Sequence, residues 1–175
     1  MEQLMPIVTG RRDNLKAACV LLSKEERICG ALCETGWTYF NKTNFCYRTF
    51  TGSRSTHADA EANCVEGSGG HLASIHNSDE LYFVSELSAT GNAGDGFNQV
   101  LVELLYVSNA WTWTDGTALN YQPWAPAHPV PGQQYGYLNV DERPDVKGYR
   151  FTFDTYAPAT IRQYGAFVCK KSSLP

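Results

Sequence analysis

The segment that decides the fold runs Trp111-Thr-Trp-Thr-Asp-Gly-Thr-Ala-Leu-Asn-Tyr-Gln-Pro-Trp-Ala-Pro-Ala-His-Pro129. It begins by alternating tryptophan with threonine, which is typical of a strand because successive side chains there point to opposite faces. Asp115-Gly116 then predicts a turn, since glycine tolerates the positive φ that tight turns need. Beyond Tyr121, the repeated prolines exclude a helix or an interior strand. The segment therefore predicts a strand, a turn and a long irregular loop with aromatic anchors, a form typical of binding loops.

Composition places the chain among ordinary globular proteins. Its 175 residues suit one domain with a short extension. Hydrophobic residues make up 43% and charged residues 18%. The net charge of −4 disfavours nucleic acid or an anionic membrane as a partner. The sequence contains no run of about 18 apolar residues, so it predicts no membrane span.

The cysteines favour a disulfide framework in an oxidising compartment over buried free thiols. There is no Cys-x-x-Cys, and the four histidines do not stand at zinc-finger spacing from any cysteine. Disulfides form and persist in secreted proteins, so we expect a secreted, extracellular protein. The cysteines are Cys19, Cys29, Cys33, Cys46, Cys64 and Cys169. Their pairing does not follow from the spacing alone.

The first 32 residues are interpreted as an N-terminal extension ahead of a domain over residues 33–175. The patch Ala17-Ala-Cys-Val-Leu-Leu22 follows basic residues but is too short and interrupted for a convincing signal peptide. A degraded leader and a short helix or linker remain alternative interpretations.

Local patterns predict the elements of the domain. Alternating aromatic residues from Trp37 to Tyr47 predict a hairpin. A helix is predicted over 55–66 with Thr56 as its cap, and a second from Asn77 or Ser78 through Leu87. Residues 88–98 are predicted to form a loop. Further strands are predicted over 132–140 and 149–153.

Five motifs carry a family resemblance. They are Cys33-x-x-Gly-Trp with Cys46-Tyr, Ala58-x-Ala-x-x-x-Cys64, Gly70-His-Leu-Ala-Ser-Ile75, Trp111-x-Trp-x-Asp-Gly-Thr117 and Gly165-Ala-Phe-Val-Cys169. In this order, over about residues 33–171, they resemble the long form of the C-type lectin-like domain. The resemblance implies an α+β fold: two helices flanking antiparallel sheets, a long irregular loop region, and disulfide staples.

The resemblance also implies two disulfides. It pairs Cys33 with Cys46 in the first hairpin, and Cys64 of the first helix with Cys169 of the closing strand. Cys19 and Cys29 are then left. They either pair with each other or link to another chain.

Two positions depart from the family pattern. His57 stands where the family usually has an aromatic residue, and we expect a packed or capping role for it rather than a catalytic one. Leu101-Val-Glu-Leu104 takes the place of a core strand in which the family has glycine at the position of Glu103. We expect Glu103 to be accommodated by local loosening or exposure, or to pair with a base that the sequence does not identify.

The calcium ligands implied by the resemblance are mostly missing. The family places them at positions that correspond here to His128-Pro129-Val130, to Gln133, and to either Tyr156-Ala157-Pro158 or Phe153-Asp154-Thr155. Calcium takes six to eight oxygen ligands, whereas valine offers no side-chain oxygen and imidazole is a poor calcium ligand. We therefore predict no cofactor and no calcium at the sugar site. An internal disulfide of the family is replaced by Tyr135 and Ile161, which we expect to pack together.

These observations predict an extracellular recognition module that binds a glycan or a protein without the usual calcium-dependent sugar site. Its candidate ligand-binding residues are Tyr121, Trp124, His128, Gln133 and Tyr135; the alternative is that Trp124 belongs to the core, as we expect for Trp111 and Trp113. Asn41-Lys-Thr43 is a candidate glycosylation sequon in a turn. An enzyme is not predicted, because no nucleophile stands in an activated setting. The alternative function is a structural or interaction protein that forms a homodimer through Cys19 or Cys29.

Overall fold

A computed structural model describes residues 17–21, 27–89, 99–142, 147–156 and 164–174. Most of the extension over 1–32 and of the loop predicted over 88–98 lies outside these ranges. Ala157, Pro158 and Ile161 also lie outside them. Within the described part of the chain, no helix combines the length and apolar character needed to cross a membrane.

The described elements alternate between strands and two helices. In chain order they are β1 (Ala17–Leu21), β2 (Arg27–Ala31), β3 (Thr38–Phe40), β4 (Phe45–Ser55), α1 (His57–Ser68), β5 (His71–Leu72), α2 (Ser78–Ser88), β6 (Gln99–Val107), β7 (Ala110–Trp113), β8 (Tyr135–Asn139), β9 (Thr152–Tyr156) and β10 (Tyr164–Ser172). The predicted α+β class with two helices is therefore confirmed.

Most strands join one sheet. Its order is β3-β4-β10-β6-β8-β9, with β5 added to β10 and β7 added to β6. All of these pairs are antiparallel except β10 and β6, which run parallel. Strands β1 and β2 form a separate hairpin in which Cys19 lies opposite Cys29 in the backbone register.

Side-chain caps fix where both helices begin. Thr56 accepts a hydrogen bond from the Asp59 backbone N–H, and the Asp59 carboxylate accepts one from the Thr56 N–H, which completes a capping box. Asn77 caps α2 by accepting from the Glu80 N–H at 2.9 Å. Both predicted starts are confirmed. His57 is buried beside Tyr135, with ring centroids 5.6 Å apart, so its predicted packed role is also confirmed.

The glycines after α1 let the chain approach the closing strand. Gly69 adopts a left-handed conformation with φ 66°, which ends the helix. A Cβ on Gly70 would lie 2.4 Å from the backbone oxygen of Lys170 in β10, so only glycine fits there. This close contact holds β5, which begins at His71, against β10.

Two buried clusters form the core. One surrounds Trp113, which is 1% exposed, and Trp111 and Trp124 pack against it while partly exposed. The other contains both disulfides predicted from the resemblance, Cys33–Cys46 and Cys64–Cys169.

Two local predictions and one turn that was not predicted can be compared with the strands. The first hairpin is confirmed, with Asn41 exposed in the turn between β3 and β4. The strand expected over 149–153 is wrong at its start: β9 begins at Thr152, because Phe151 adopts φ 63° in the preceding turn. The β6–β7 reversal at Ser108 and Asn109, both with positive φ, had no glycine to signal it.

Loss of the Cys64–Cys169 bond should destabilise the protein more than loss of Cys33–Cys46. The two bonds join residues 105 and 13 positions apart. The loop-entropy model gives about 4.8 and about 2.9 kcal/mol for such loops. We expect Cys64→Ala/Cys169→Ala to lower the free energy of unfolding by roughly 2 kcal/mol more than Cys33→Ala/Cys46→Ala, as measured by urea denaturation. Equal losses would contradict this ranking.

Candidate functional site

The long loop between β7 and β8 is fastened to strand β9. The Ala125 N–H donates to the Phe153 carbonyl at 2.8 Å, and the Phe153 N–H donates to the Pro123 carbonyl at 2.8 Å. The peptide bond between His128 and Pro129 is cis. These contacts bring the loop near His128 to the residues that follow Phe153.

His128 bonds directly to strand β9. Its Nδ1 lies 2.7 Å from Asp154 Oδ1 and 2.9 Å from Thr155 Oγ1. An ionised carboxylate only accepts hydrogen bonds, so a hydrogen bond from His128 to Asp154 requires the proton to be on Nδ1. The His128 side chain is 15% exposed and that of Asp154 only 5%, which shields this pair from water.

Thr155 connects the His128–Asp154 pair to two further residues of the loop, Gln133 and Val130. Its hydroxyl donates to Gln133 Oε1 and accepts from the Val130 N–H at 3.1 Å. His128, Gln133, Asp154 and Thr155 therefore form one hydrogen-bonded group, which we call the loop cluster. The sequence predicted His128 and Gln133 as candidate ligand-binding residues. Asp154 and Thr155 belong to one of the two alternative tripeptides.

The loop cluster contains residues from one of the two alternatives for the last calcium-ligand tripeptide, whereas Ala157 and Pro158 of the other alternative lie outside the described residues. Phe153-Asp154-Thr155 lies beside His128 and Gln133, whereas Tyr156 ends β9 beyond them. Among these aligned side chains only Asp154 carries a carboxylate. Its oxygen faces an imidazole, and the Gln133 amide oxygen is already occupied by a hydroxyl.

The other candidate residues lie elsewhere. Tyr121 and Trp124 pack against the Trp113 cluster, and the Trp124 and Trp111 rings are 5.2 Å apart. Tyr135 stacks on Tyr156 at 5.1 Å, in the other core cluster. Its expected partner Ile161 is outside the described residues. The structure thus brings together His128 and Gln133 but not the three aromatic candidates.

A buried ion pair connects helix α2 to the interior strand β10. Lys170 Nζ is 2.6 Å from Glu80 Oε1 and 2.9 Å from the Ser74 carbonyl. Tyr47 donates to the same Glu80 oxygen at 2.6 Å, and the His76 N–H donates to Oε2 at 2.8 Å. Burial, together with the Glu80 charge, raises the pKa of Tyr47. Sequence reasoning missed this network because its residues are distant in the chain.

The expectation that Glu103 is exposed is wrong, whereas the irregular β6–β8 register between Leu101 and Leu105 agrees with the expected local loosening. Glu103 is fully buried in β6, and Thr114 donates a hydrogen bond to its Oε1. Burial raises the pKa of Glu103 to about 8, and the nearby Asp115 and Glu61 carboxyls add to the increase. The His71 imidazole lies nearby, with Nδ1 3.9 Å from Glu103 Oε1, but its shorter contact is with Glu61 at 2.6 Å.

Comparison with known proteins now identifies the family. The family model described as "Lectin C-type domain" matches residues 53–171, which is more than half of the chain. The chain belongs to the C-type lectin domain family. The matched residues include the later four motifs, both helices and the Cys64–Cys169 disulfide.

The relatives of this C-type lectin domain have diverse names. A type-2 ice-structuring protein of Brachyopsis segaliensis is 38% identical over 98 residues, which is 56% of this chain and 52% of the relative. One chain of a snaclec coagulation factor IX/factor X-binding protein of Echis carinatus is 39% identical over 98 residues, which is 54% of this chain and 74% of the relative. The chain spans about half the length of the ice-structuring relatives it matches.

Solved structures support the same fold. A calcium-independent type II antifreeze protein superimposes with a TM-score of 0.63 at 27% identity, covering 81% of this chain and 95% of the other. Human lithostathine superimposes with a TM-score of 0.65 at 22% identity, covering 87% of this chain and 99% of the other. At this identity the similarity is evidence only for a shared fold.

Glu103 should make the stability of this C-type lectin domain fall as pH rises. Between pH 4.5 and about 8, the unfolded chain loses the Glu103 proton while the folded chain keeps it. The free energy of unfolding therefore decreases across this window, and the decrease ends above the folded pKa. We expect Glu103→Gln to be less sensitive to pH there, as measured by urea denaturation in chelator.

His71, Glu61 and Asp115 face the same carboxyl, so they remain unchanged in this comparison. Glu66→Gln, at an exposed position of α1, serves as the matched control. Parallel profiles for the wild type and Glu103→Gln would contradict a raised pKa.

Proposed function

We propose that this protein is an extracellular recognition module that binds a glycan or a protein without calcium at the sugar-binding position. The loop cluster is the observation that carries the proposal. His128 bonds to Asp154, and Thr155 bonds to Gln133, so the aligned side chains serve one another as partners. Calcium needs six to eight oxygens, and recruiting it would require breaking these contacts.

We place the ligand-contacting surface on the long loop around His128 and Gln133. Both residues keep partial exposure while they are held by strand β9. Such prior ordering reduces the entropic cost of binding. The partly exposed Trp124 offers an aromatic face on the same loop, and aromatic faces suit both sugar rings and protein anchors.

The names of the relatives widen the set of ligands to test. They include ice-structuring proteins and proteins that bind coagulation factors. A shared fold does not fix the ligand, so glycan, protein and ice are each measured. None of these relatives is named as an enzyme, and we propose a non-enzymatic role for this chain.

We propose that the binding domain spans residues 33–175 and follows an extension over 1–32. Strand β4 pairs with β10 along most of its length, which supports placing the first hairpin inside the domain. Two disulfides within the domain support secretion, as does the exposed candidate sequon at Asn41.

The alternative is an interaction protein that dimerises through Cys19 or Cys29. Their opposite positions in the β1–β2 register support a bond within the chain instead. A non-reducing gel separates the two: a dimer that Cys19→Ser or Cys29→Ser abolishes favours the alternative, and a monomer favours the internal bond.

Calcium should not change the thermal stability of the wild-type protein, because we propose that the loop cluster does not bind calcium. We expect melting curves in millimolar calcium and in chelator to superimpose, because a ligand of the native state would raise the midpoint. The matched variant is His128→Glu/Val130→Asn/Thr155→Asp, which supplies carboxylate and amide oxygens at aligned positions. It should gain a calcium-dependent increase in midpoint. A calcium-dependent increase in the wild type would overturn the proposal.

Ligand binding itself should persist in chelator. We expect labelled protein to retain a ligand on a glycan array or a panel of extracellular proteins, and to show no thermal hysteresis in ice-growth assays. His128→Ala/Gln133→Ala should weaken that binding about tenfold or more, by analogy with other buried polar contacts. The exposed Glu66→Gln is the control. Binding that chelator abolishes, or thermal hysteresis without other binding, would contradict this mechanism.

A further inference from the structure

Three potential metal ligands from three elements come together away from the loop cluster. They are Glu61 of α1, His71 of β5 and Glu103 of β6, and their ligand atoms all lie within 4.8 Å of one another. His71 Nδ1 is 2.6 Å from Glu61 Oε1 and 3.9 Å from Glu103 Oε1. In the described ranges of the chain, this is the group of three such residues that meets these distances.

Glu103 supplies the observation that points to a ligand. Its side chain is 0% exposed, and Oε1 accepts a hydrogen bond from Thr114. Oε2 is buried and receives no hydrogen bond from a donor among the described residues, and the carboxyl can bond to the neighbouring Asp115 carboxyl only while one of the two is protonated. A buried carboxylate oxygen without a partner is costly, because burial removes the water that would otherwise solvate it.

Two other buried carboxylates among the described residues have a basic partner nearby. Glu80 faces the Lys170 ammonium at 2.6 Å, and Asp154 faces His128 at 2.7 Å. Glu103 instead has Glu61 and Asp115 nearby, both of which add to the raising of its pKa. The nearest base is His71, which is already engaged with Glu61. The group therefore has an excess of carboxylates over cations.

We propose that Glu61, His71 and Glu103 bind a divalent transition metal ion of the zinc class. One imidazole nitrogen with two carboxylates suits zinc, which accepts nitrogen and oxygen ligands. Calcium is disfavoured because it takes oxygen ligands. We call this group the Glu–His–Glu site.

The distances require only small side-chain movements. Ligand atoms at about 2.0–2.2 Å from a tetrahedral zinc lie roughly 3.3–3.6 Å apart. The distance from His71 Nδ1 to Glu61 Oε1 must therefore increase from 2.6 Å, and the distance from His71 Nδ1 to Glu103 Oε1 must decrease slightly from 3.9 Å. The ion would replace the direct hydrogen bond between His71 and Glu61.

Contacts outside the three ligands already orient them. The Leu72 backbone N–H donates to Glu61 Oε2 at 2.8 Å, which leaves Oε1 directed at His71. Thr114 holds Glu103. Such supporting hydrogen bonds fix ligand geometry in metal sites. The His71 side chain is 51% exposed, so solvent reaches the group and water can complete the coordination.

The test uses the full, oxidised chain without a histidine tag, stripped by chelator and then dialysed. Zinc chloride is titrated by calorimetry, and cobalt(II) is used to record the absorption of a low-coordinate site. We expect one zinc per chain and an increase in thermal midpoint. His71→Gln and Glu103→Gln should each weaken zinc binding by about tenfold or more.

Matched controls separate this site from incidental binding. His76→Gln changes a neighbouring, partly exposed histidine, and Glu66→Gln changes an exposed acid on the same helix as Glu61. Both should leave zinc binding unchanged, and circular dichroism confirms that each variant folds. Absence of zinc binding by the wild type, or equal weakening by His76→Gln and His71→Gln, would overturn the proposal.

Discussion

The pairing of β10 at the centre of the sheet is the constraint on which the rest of the structure depends. This strand is antiparallel to β4 and β5 and parallel to β6. It therefore connects strands β3 and β4 on one side of the sheet to strands β6, β8 and β9 on the other. Cys169 within it is bonded to Cys64 of α1, and Lys170 beside it neutralises Glu80 of α2. One strand thereby fixes both helices. Because the Glu–His–Glu site combines α1, β5 and β6, its geometry also follows from this arrangement.

Buried charge is accommodated in three different ways. Glu80 is paired with an ammonium group and receives further hydrogen bonds from Tyr47 and the His76 backbone, so each of its oxygens is occupied. Asp154 is paired with an imidazole from the long loop. Glu103 has one hydrogen-bonded oxygen and one that receives no hydrogen bond from a donor among the described residues, and burial raises its pKa. A buried charge requires such compensation, and Glu103 has the least of the three.

The same principle explains how the long loop keeps its shape around the loop cluster. In the family resemblance, an ion bound by oxygen ligands occupies this region. Here His128 and Thr155 connect the loop to β9 through hydrogen bonds, and partial burial strengthens such contacts. These contacts hold the loop against β9 through its own side chains. The candidate binding surface is therefore a product of neighbours that are far apart in sequence.

The sequence by itself determined the local elements and the family. Capping by Thr56 and Asn77, the alternation at Trp111 and Trp113, and the motif ending in Cys169 depend on nearby residues, so they were readable without a structure. The tertiary structure determined the contacts between residues that are far apart in the sequence. It brought Asp154 and Thr155 to His128, it buried Glu103, and it placed His71 near Glu103. The physical reason is that hydrogen bonds and burial depend on distance in space, and in this sheet strands from both ends of the domain meet at its centre.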